Sequence, residues 1–242
     1  MKERGKIVTG GDGTKRQGTL EIGTHEKEAR VDLSDLEAFI LDLDGVVTDT
    51  ARLHASAWKL TFDDYLKERA DRYGESFVPF DSDKDYLTYV DGKSRYDGVR
   101  DFLASRRITI PYGDPADPPE EETVCGLGNR KNRNFTRWLD EHGAEAYPST
   151  VEFVRGLRSR GTHLALISAS RNARKVLQAA GADNLFDVVV DGGDAHALGL
   201  PGKPAPDVFL EAARRLNVRP GRAAVVEDAL AGVEAGKAGN FT

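Results

Sequence analysis

The sequence predicts an α/β fold in which a parallel β-sheet carries helices on both faces and an α-helical cap domain is inserted after the first strand. Short apolar, β-rich runs alternate with helical stretches in the second half of the chain. A long, mostly helical segment separates the first of these runs from the second. Polar residues follow the runs at their carboxyl ends, where open parallel sheets bind ligands.

The predicted strands are short runs that are apolar almost throughout, as strands buried on both faces are. They are residues 39–43, 164–168, 186–190 and 223–226. Helical stretches such as 208–216 lie between the later runs. We therefore predict a Rossmann-like core with parallel strands.

The segment after the first strand is predicted as a helical cap domain over residues 52–145. Apolar residues recur at helical spacing over 51–73, and further helices are predicted over 95–106 and 129–142. An insertion of this length makes the core discontinuous, so that residues 35–51 and 146–242 together form it.

The first 34 residues are rich in Gly, Lys, Glu and Thr and have no sustained apolar period, so we predict a flexible N-terminal arm over 1–34. The stretch GGDGT at 10–14 is similar to the nucleotide-binding loop of lipid and NAD kinases. Only nine residues precede it, and no strand–helix unit follows in register, which argues against a nucleotide site.

Composition narrows the classes of function. The chain has 242 residues, 39% of them hydrophobic, and a net charge of -6, which argues against general nucleic-acid binding. No apolar run approaches the roughly 20 residues of a membrane helix, and the N-terminal MKERGK lacks a signal-like apolar stretch. The single cysteine, Cys125, excludes an internal disulfide, and the five histidines are scattered. We expect a cytoplasmic protein without membrane or nucleic-acid partners.

The stretch FILDLDGVVTDT at 39–50 places acids at the end of an apolar strand, where a buried carboxylate is costly unless it is paired or binds a metal. Asp42 and Asp44 raise each other's pKa unless a cation neutralises them. Mg²⁺ bound by Asp42, Glu227, Asp228 and a backbone carbonyl would relieve this cost. A carboxylate can then attack phosphorus, and a second acid can transfer the proton.

Three further residues fit phosphoryl transfer. Ser168 follows the second strand of the core and offers a hydroxyl to phosphate oxygens, and Lys203 could neutralise both the aspartate and the phosphate. Gly45 allows a tight turn beside the phosphate. Each feature alone also fits a turn residue, a solvated lysine or a helix N-terminal acid. Their shared position at strand ends favours a site.

Four motifs resemble the signatures of the haloacid dehalogenase superfamily of phosphotransferases: DLDGV at 42–46, ISAS at 167–170, GKPAPD at 202–207 and VVEDALAG at 225–232. Within it the chain most resembles the β-phosphoglucomutases, from Phe39 to its end. The resemblance implies a nucleophile, a general acid/base, two phosphate ligands and a Mg²⁺ site. The implied nucleophile is Asp42, and the implied general acid/base is Asp44. The implied phosphate ligands are Ser168 and Lys203. The implied Mg²⁺ ligands are Asp42, the Asp44 carbonyl, Glu227 and Asp228.

Stretches outside the motifs extend the resemblance to the substrate site. They are TDTARLHASAWK at 48–59, DGKSRYDG at 91–98, RKN at 130–132 and SASRN at 168–172. The substrate-binding residues that they imply are His54, Trp58, Gly92, Lys93, Ser94, Arg95, Lys131, Ala169, Ser170, Arg171 and Asn172. His54 and Trp58 lie four residues apart and also fit interdomain packing, and the basic residues around Lys131 also fit a solvated helix face.

The resemblance implies a mutase that interconverts β-D-glucose 1-phosphate and glucose 6-phosphate through an aspartyl-phosphate and β-glucose 1,6-bisphosphate. We expect it to be a monomer. A Mg²⁺-dependent sugar-phosphate phosphatase on the same scaffold is the first alternative, and a non-catalytic sugar-phosphate-binding module is the second. In this superfamily another strand and helix usually follow the last motif, whereas this chain ends at Thr242. We therefore expect a truncated core or an edge covered by another segment, such as 1–34.

Overall fold

A computed structural model describes residues 19–22, 29–32 and 35–242. Within the predicted arm, strands β1 (Thr19–Ile22) and β2 (Ala29–Asp32) pair antiparallel in a sheet of their own. The kinase-like stretch at 10–14 lies outside the described residues.

The core sheet has the four parallel strands that the sequence predicts. They are β3 (Ala38–Asp42), β4 (His163–Ile167), β5 (Val188–Val190) and β6 (Ala223–Val226). Their order is β5-β4-β3-β6, with Asp42 aligned to Ile167 and Leu41 to Val226. All four strands therefore end at one edge of the sheet, and β3 lies between β4 and β6.

The outer edge of β6 is partly paired by the end of the chain. Val225 donates its backbone N–H to the carbonyl of Thr242 over 3.0 Å, and Thr242 donates to the carbonyl of Ala223 over 3.2 Å. Thr242 thus satisfies two backbone groups at the outer edge of β6.

The helices cover the sheet and form the inserted segment. In chain order they are α1 (Ala51–Tyr73), α2 (Arg95–Ser105), α3 (Val124–His142), α4 (Pro148–Arg158), α5 (Ala173–Ala179), α6 (Gly192–Leu198), α7 (Asp207–Leu216) and α8 (Leu230–Ala238). A π-helical turn spans Tyr86–Val90 and a 3-10 turn spans Pro220–Arg222. No helix in the described part of the chain is long and apolar enough to cross a membrane.

Helix α3 begins five residues before the predicted start at 129. The Thr123 side chain caps it by accepting a hydrogen bond from the Gly126 N–H over 2.9 Å. Two glycines in the first turns, Gly126 and Gly128, weaken the helical pattern in the sequence. Both glycines are buried where a side chain would not fit, because a Cβ would lie 2.3 Å from the Glu121 carbonyl at Gly126 and 2.7 Å from the Tyr96 ring at Gly128.

Three apolar clusters organise the molecule. Phe39 and Leu41 face one side of the sheet and Ile40 faces the other, as the alternation of a strand requires. A third cluster lies among α1, α2 and the π-helical turn, where the Phe62 ring lies 4.1 Å from that of Phe102. The helical segment after β3 therefore has a buried core of its own.

Two chain connections join this helical segment to the sheet, and they are hydrogen-bonded to each other. Asp49 donates its backbone N–H to Glu145, and Tyr147 donates to the carbonyl of Val47. The Tyr147 hydroxyl also donates to Asp49 Oδ1 over 2.7 Å. Asp49, the third acid of the opening stretch, thus lies in the connection, away from the strand end.

Candidate active site

The sheet brings the predicted acids together because their strands end side by side. Asp42 is the last residue of β3, Ser168 follows β4, and Glu227 and Asp228 follow β6. Lys203 reaches the same place from the loop between α6 and α7. These five residues span most of the core in sequence, and the parallel register makes them neighbours in space.

Lys203 connects two of the acids. Its ammonium lies 2.7 Å from Asp42 Oδ1 and also donates to Glu227 Oε1, and the Lys203 side chain is only 3% exposed. Burial alone would lower the pKa of Lys203, but the two carboxylates outweigh it and raise that pKa above its usual value. The lysine is therefore a fixed positive charge beside the nucleophile candidate.

Three carboxylates fit a divalent cation. Asp42, Glu227 and Asp228 each place one oxygen so that all three lie within 4.8 Å of one another. Burial, with the negative charges of Glu227 and Asp44, raises the pKa of Asp42 despite Lys203. Burial, Asp91 and Glu227 raise the pKa of Asp228 to about 7. Lys203 alone therefore does not neutralise the three carboxylates, and their hard oxygen donors suit Mg²⁺.

The backbone of Gly45 lies very close to the Asp228 carboxylate of this cluster. Gly45 has φ +87°, and a Cβ atom at this position would lie 2.0 Å from Asp228 Oδ2. Only glycine therefore lets Asp228 lie directly against the turn after β3.

Asp44 lies beside the cluster, in contact with three polar side chains. The Thr50 hydroxyl donates to its Oδ1, His54 Nε2 lies 3.2 Å from the same oxygen, and Ser168 Oγ lies 3.4 Å from Oδ2. Burial alone would raise the pKa of Asp44, but His54 and Thr50 lower it to about 2. Asp44 is therefore ionised at neutral pH and ready to accept a proton.

His54 and Lys131 form a buried pair behind Asp44. Lys131 Nζ lies 2.6 Å from His54 Nδ1 and about 5 Å from the rings of Trp58 and Phe135. Burial and the charge of Arg95 lower the pKa of Lys131 to about 7, and burial with Lys131 lowers the pKa of His54. A neutral His54 that accepts from Lys131 at Nδ1 carries its proton on Nε2, toward Asp44.

One cavity collects most of the predicted substrate residues around Asp42 and Asp44. Those that line it are His54, Trp58, Gly92, Lys93, Arg95, Lys131, Ala169, Ser170 and Asn172. Ser94 and Arg171 instead line a neighbouring cavity of about 180 Å³, which Arg95, Ala169 and Lys203 share. Ser94 also caps α2, because its hydroxyl donates to Asp97 over 2.6 Å and accepts from the Asp97 N–H.

Sequence reasoning missed four polar residues at the site. Thr50, Tyr86, Asp91 and Asn132 hydrogen-bond to predicted site residues or line the cavity with them. Thr50, Asp91 and Asn132 each stand within a quoted stretch, so proximity in sequence was an available signal. Tyr86 carried none, because its position depends on the π-helical turn.

The sequence of this chain is similar to those of known haloacid dehalogenase-like proteins. A family model of haloacid dehalogenase-like hydrolases matches residues 36–240. The chain belongs to this family. Relatives within it are named β-phosphoglucomutase: that of Mycobacterium bovis is 52% identical over 206 residues, which are 85% of this chain and 79% of that protein. The relative of the same name from Bacillus subtilis is 34% identical over 208 residues, or 85% and 81% of the two chains.

A solved structure extends the likeness to the fold. The crystal structure of β-phosphoglucomutase from Clostridium difficile superposes with a TM-score of 0.67 at 30% identity, over 85% of this chain and 82% of that one. The resemblance stated from the four motifs is thus confirmed, and so is the α/β fold of this haloacid dehalogenase-like protein.

Proposed function

We propose that this protein is a β-phosphoglucomutase that interconverts β-D-glucose 1-phosphate and glucose 6-phosphate. One observation carries the proposal: the cavity that contains Asp42 also contains Arg95, which comes from the helical segment. Within residues 35–242, no carboxylate lies within ion-pair distance of the half-buried Arg95 guanidinium. A mutase needs such a second anion site, because its bisphosphate intermediate has a phosphate at each end.

The reaction begins at Asp42 in this proposal. A phosphoryl group carried by the Asp42 carboxylate is transferred to a hydroxyl of the bound sugar phosphate. Asp44 takes the proton of that hydroxyl, since its low pKa keeps it ionised. The resulting bisphosphate turns round, and its other phosphate returns to Asp42 while Asp44 gives the proton to the leaving oxygen.

The surrounding side chains position these two acids. Lys203 offsets negative charge on Asp42 and on the phosphoryl oxygens, and the Ser168 hydroxyl is available to those oxygens. His54 and Thr50 hold the Asp44 carboxylate in place. The predicted substrate residues Gly92, Lys93, Ala169, Ser170, Arg171 and Asn172 complete the proposed walls of the sugar site.

Mg²⁺ is the proposed cofactor, bound by Asp42, Glu227, Asp228 and the Asp44 carbonyl. Support comes from the fit of the three carboxylates and from the raised pKa values of Asp42 and Asp228. When bound, the ion would supply positive charge to the transferring phosphoryl group.

Exclusion of water separates a mutase from a phosphatase of the same family. Residues 91–93 lie against the core beside the acids. The packing is close: a Cβ atom on Gly92 would be 3.1 Å from the Cβ of Ala229. A helical segment in this position can shield the aspartyl-phosphate from hydrolysis.

We also propose how the chain is organised. The helical cap domain spans 52–145, and residues 35–51 and 146–242 form the core. The proposed protein is monomeric and cytoplasmic.

The deciding experiment follows both products. The protein is incubated with Mg²⁺ and β-glucose 1-phosphate and primed with β-glucose 1,6-bisphosphate. Glucose 6-phosphate formed without an equivalent release of inorganic phosphate supports the mutase. Inorganic phosphate and glucose alone would establish the phosphatase instead. No turnover, together with no phosphoenzyme after treatment with an activated phosphate donor, would favour a binding module.

A further inference from the structure

Asp91 is an acid of the cavity that has no role in the mechanism above. It immediately follows the π-helical turn Tyr86–Val90, and both Asp91 and Tyr86 line the cavity that contains Asp42. The described lining of this cavity includes three other carboxylates, from Asp42, Asp44 and Asp228, and each of these has a proposed part in phosphoryl transfer or metal binding. Asp91 therefore calls for a different explanation.

The local structure fixes Asp91 at the cavity wall. Its backbone N–H donates to the Tyr86 carbonyl over 3.0 Å, which closes the π-helical turn. At the start of the turn, Arg106 Nη2 lies 2.7 Å from Oδ2 of the buried Asp85. On the other side, Gly92 has φ +68° and lies against Ala229 of the core. π-Helical turns are frequent at functional sites, where they place a side chain that a regular helix would not.

The Asp91 side chain is also oriented by a neighbour. Burial and the nearby Asp91 carboxylate raise the pKa of the Tyr86 phenol, so the two side chains interact. A carboxylate has about four acceptor positions on its two oxygens, so one phenol leaves capacity for further donors. Asp91 is half-buried, and an acceptor in such a place costs free energy when nothing donates to it.

The chemistry of the substrate supplies such donors. A hexose held between two phosphate sites presents neutral hydroxyl groups to the walls between them, and an ionised carboxylate is a strong acceptor for hydroxyl donors. The cationic side chains of the cavity suit the phosphates instead. We propose that Asp91, oriented by Tyr86, is a specificity-determining residue that accepts hydrogen bonds from ring hydroxyls of the bound sugar phosphate. This inference rests on the proposed function, because it assumes a phosphorylated hexose in the cavity.

Specificity follows from what a missing hydroxyl would leave behind. Some analogues lack the hydroxyl group that would donate a hydrogen bond to Asp91. When such an analogue binds, the Asp91 carboxylate is buried without a hydrogen-bond donor. Sites built to hydrogen-bond a substrate hydroxyl reject such analogues strongly. Loss of a hydrogen bond to a charged group corresponds to about a 10- to 100-fold change in kcat/KM.

The test compares substrates across variants. The kcat/KM values of wild type, Asp91→Ala, Tyr86→Phe and the control Asp83→Asn are measured with β-glucose 1-phosphate and its 2-, 3- and 4-deoxy analogues. Asp83 is a matched control because it is an exposed acid just before the same turn. Thermal unfolding of each variant shows that it is folded. We expect wild type to disfavour at least one deoxy analogue by about 10- to 100-fold.

In Asp91→Ala we expect this discrimination to disappear. The kcat/KM for β-glucose 1-phosphate should fall by about 10- to 100-fold, whereas the kcat/KM for the disfavoured analogue should fall little further. Tyr86→Phe should reduce the discrimination partly, and Asp83→Asn should leave it unchanged. Asp91 also contributes negative charge near the acid cluster, but losing that charge would change all four substrates by one common factor. A uniform loss across all four substrates, or no loss, would overturn the proposal.

Binding provides the same comparison without turnover. Calorimetric affinities for glucose 6-phosphate and its deoxy analogues should show the same loss of discrimination in Asp91→Ala. If wild type binds these compounds but converts none of them, the proposed function fails and the specificity role is still tested. If Asp91→Ala lowers every affinity equally, the specificity role fails whatever the reaction.

Discussion

The ammonium of Lys203 lies 2.7 Å from Oδ1 of Asp42, and these side chains are 3% and 9% exposed. The same ammonium also donates to the almost fully buried Glu227. One cation thus offsets the charge of two buried acids at the strand ends.

Lys203→Met should destabilise the protein strongly. Removing the ammonium leaves Asp42 and Glu227 buried without their cation, and breaking a buried ion pair from one side costs about 3–5 kcal/mol. Chemical denaturation should show this fall in the free energy of unfolding. The control Lys237→Met, at an exposed position of α8, should change it little, and adding Glu227→Gln to Lys203→Met should recover part of the loss. Equal stability of the two lysine variants would contradict the prediction.

Asp42→Asn should abolish turnover and leave the fold intact. An amide cannot form the aspartyl-phosphate, so kcat should fall at least about a thousandfold. Lys203 keeps Glu227 as a partner, so no large loss of stability is expected. Steady-state kinetics and thermal unfolding measure the two effects, with Asp140→Asn, on the exposed face of α3, as an active control. Full activity of Asp42→Asn would refute the proposed mechanism.

Gly45→Ala should weaken Mg²⁺ binding beyond what backbone strain explains. Gly45 and Gly161 both have positive φ, at +87° and +79°, so alanine at either position costs about 1 kcal/mol of conformational strain. Only at Gly45 would the new Cβ lie 2.0 Å from Asp228, whereas nothing lies within 4 Å of one at Gly161. Calorimetry should show at least about a tenfold weaker affinity for Mg²⁺ in Gly45→Ala and an unchanged affinity in Gly161→Ala. Similar affinities in the two variants would show that Gly45 does not shape the site.

Lys131 should make the protein more stable as pH rises above 7. Burial and Arg95 lower its pKa from 10.5 to about 7 in the folded state, so between these values the unfolded chain holds a proton that the folded chain has lost. Folding then releases a proton, and the contribution of Lys131 to the free energy of unfolding increases with pH across this window.

The measurement is a difference between wild type and Lys131→Met. Denaturation at pH 7 and at pH 10 should show wild type gaining about 1 kcal/mol or more relative to the variant. Well below pH 7 the lysine is protonated in both states, so its own proton adds no further pH dependence there. A difference that does not change between pH 7 and pH 10 would mean that Lys131 keeps its ordinary pKa.

Much of the core could be predicted from sequence because its signals are local. A strand buried on both faces must be apolar, and the acid, hydroxyl and lysine signals that follow such strands are each contained in a few residues. The start of α3 was missed because Gly126 and Gly128 are poor helix formers, and only their burial against neighbouring segments shows why they are there. β1 and β2 were missed because their sequences, TLEI and ARVD, mix charged or polar residues with apolar ones and form no continuous apolar run.

The sequence by itself determined which chemical groups stand at the strand ends, because alternation and apolar burial place Asp42 and Ser168 there whatever surrounds them. Only the tertiary structure decided their partners. Lys203 is 161 residues from Asp42, and Lys131 is 77 residues from His54. Such contacts depend on strand order and on how the helical segment packs over the sheet, and no local pattern encodes either. The contact between Asp44 and Ser168, which are 124 residues apart, likewise exists only once those distant segments have come together.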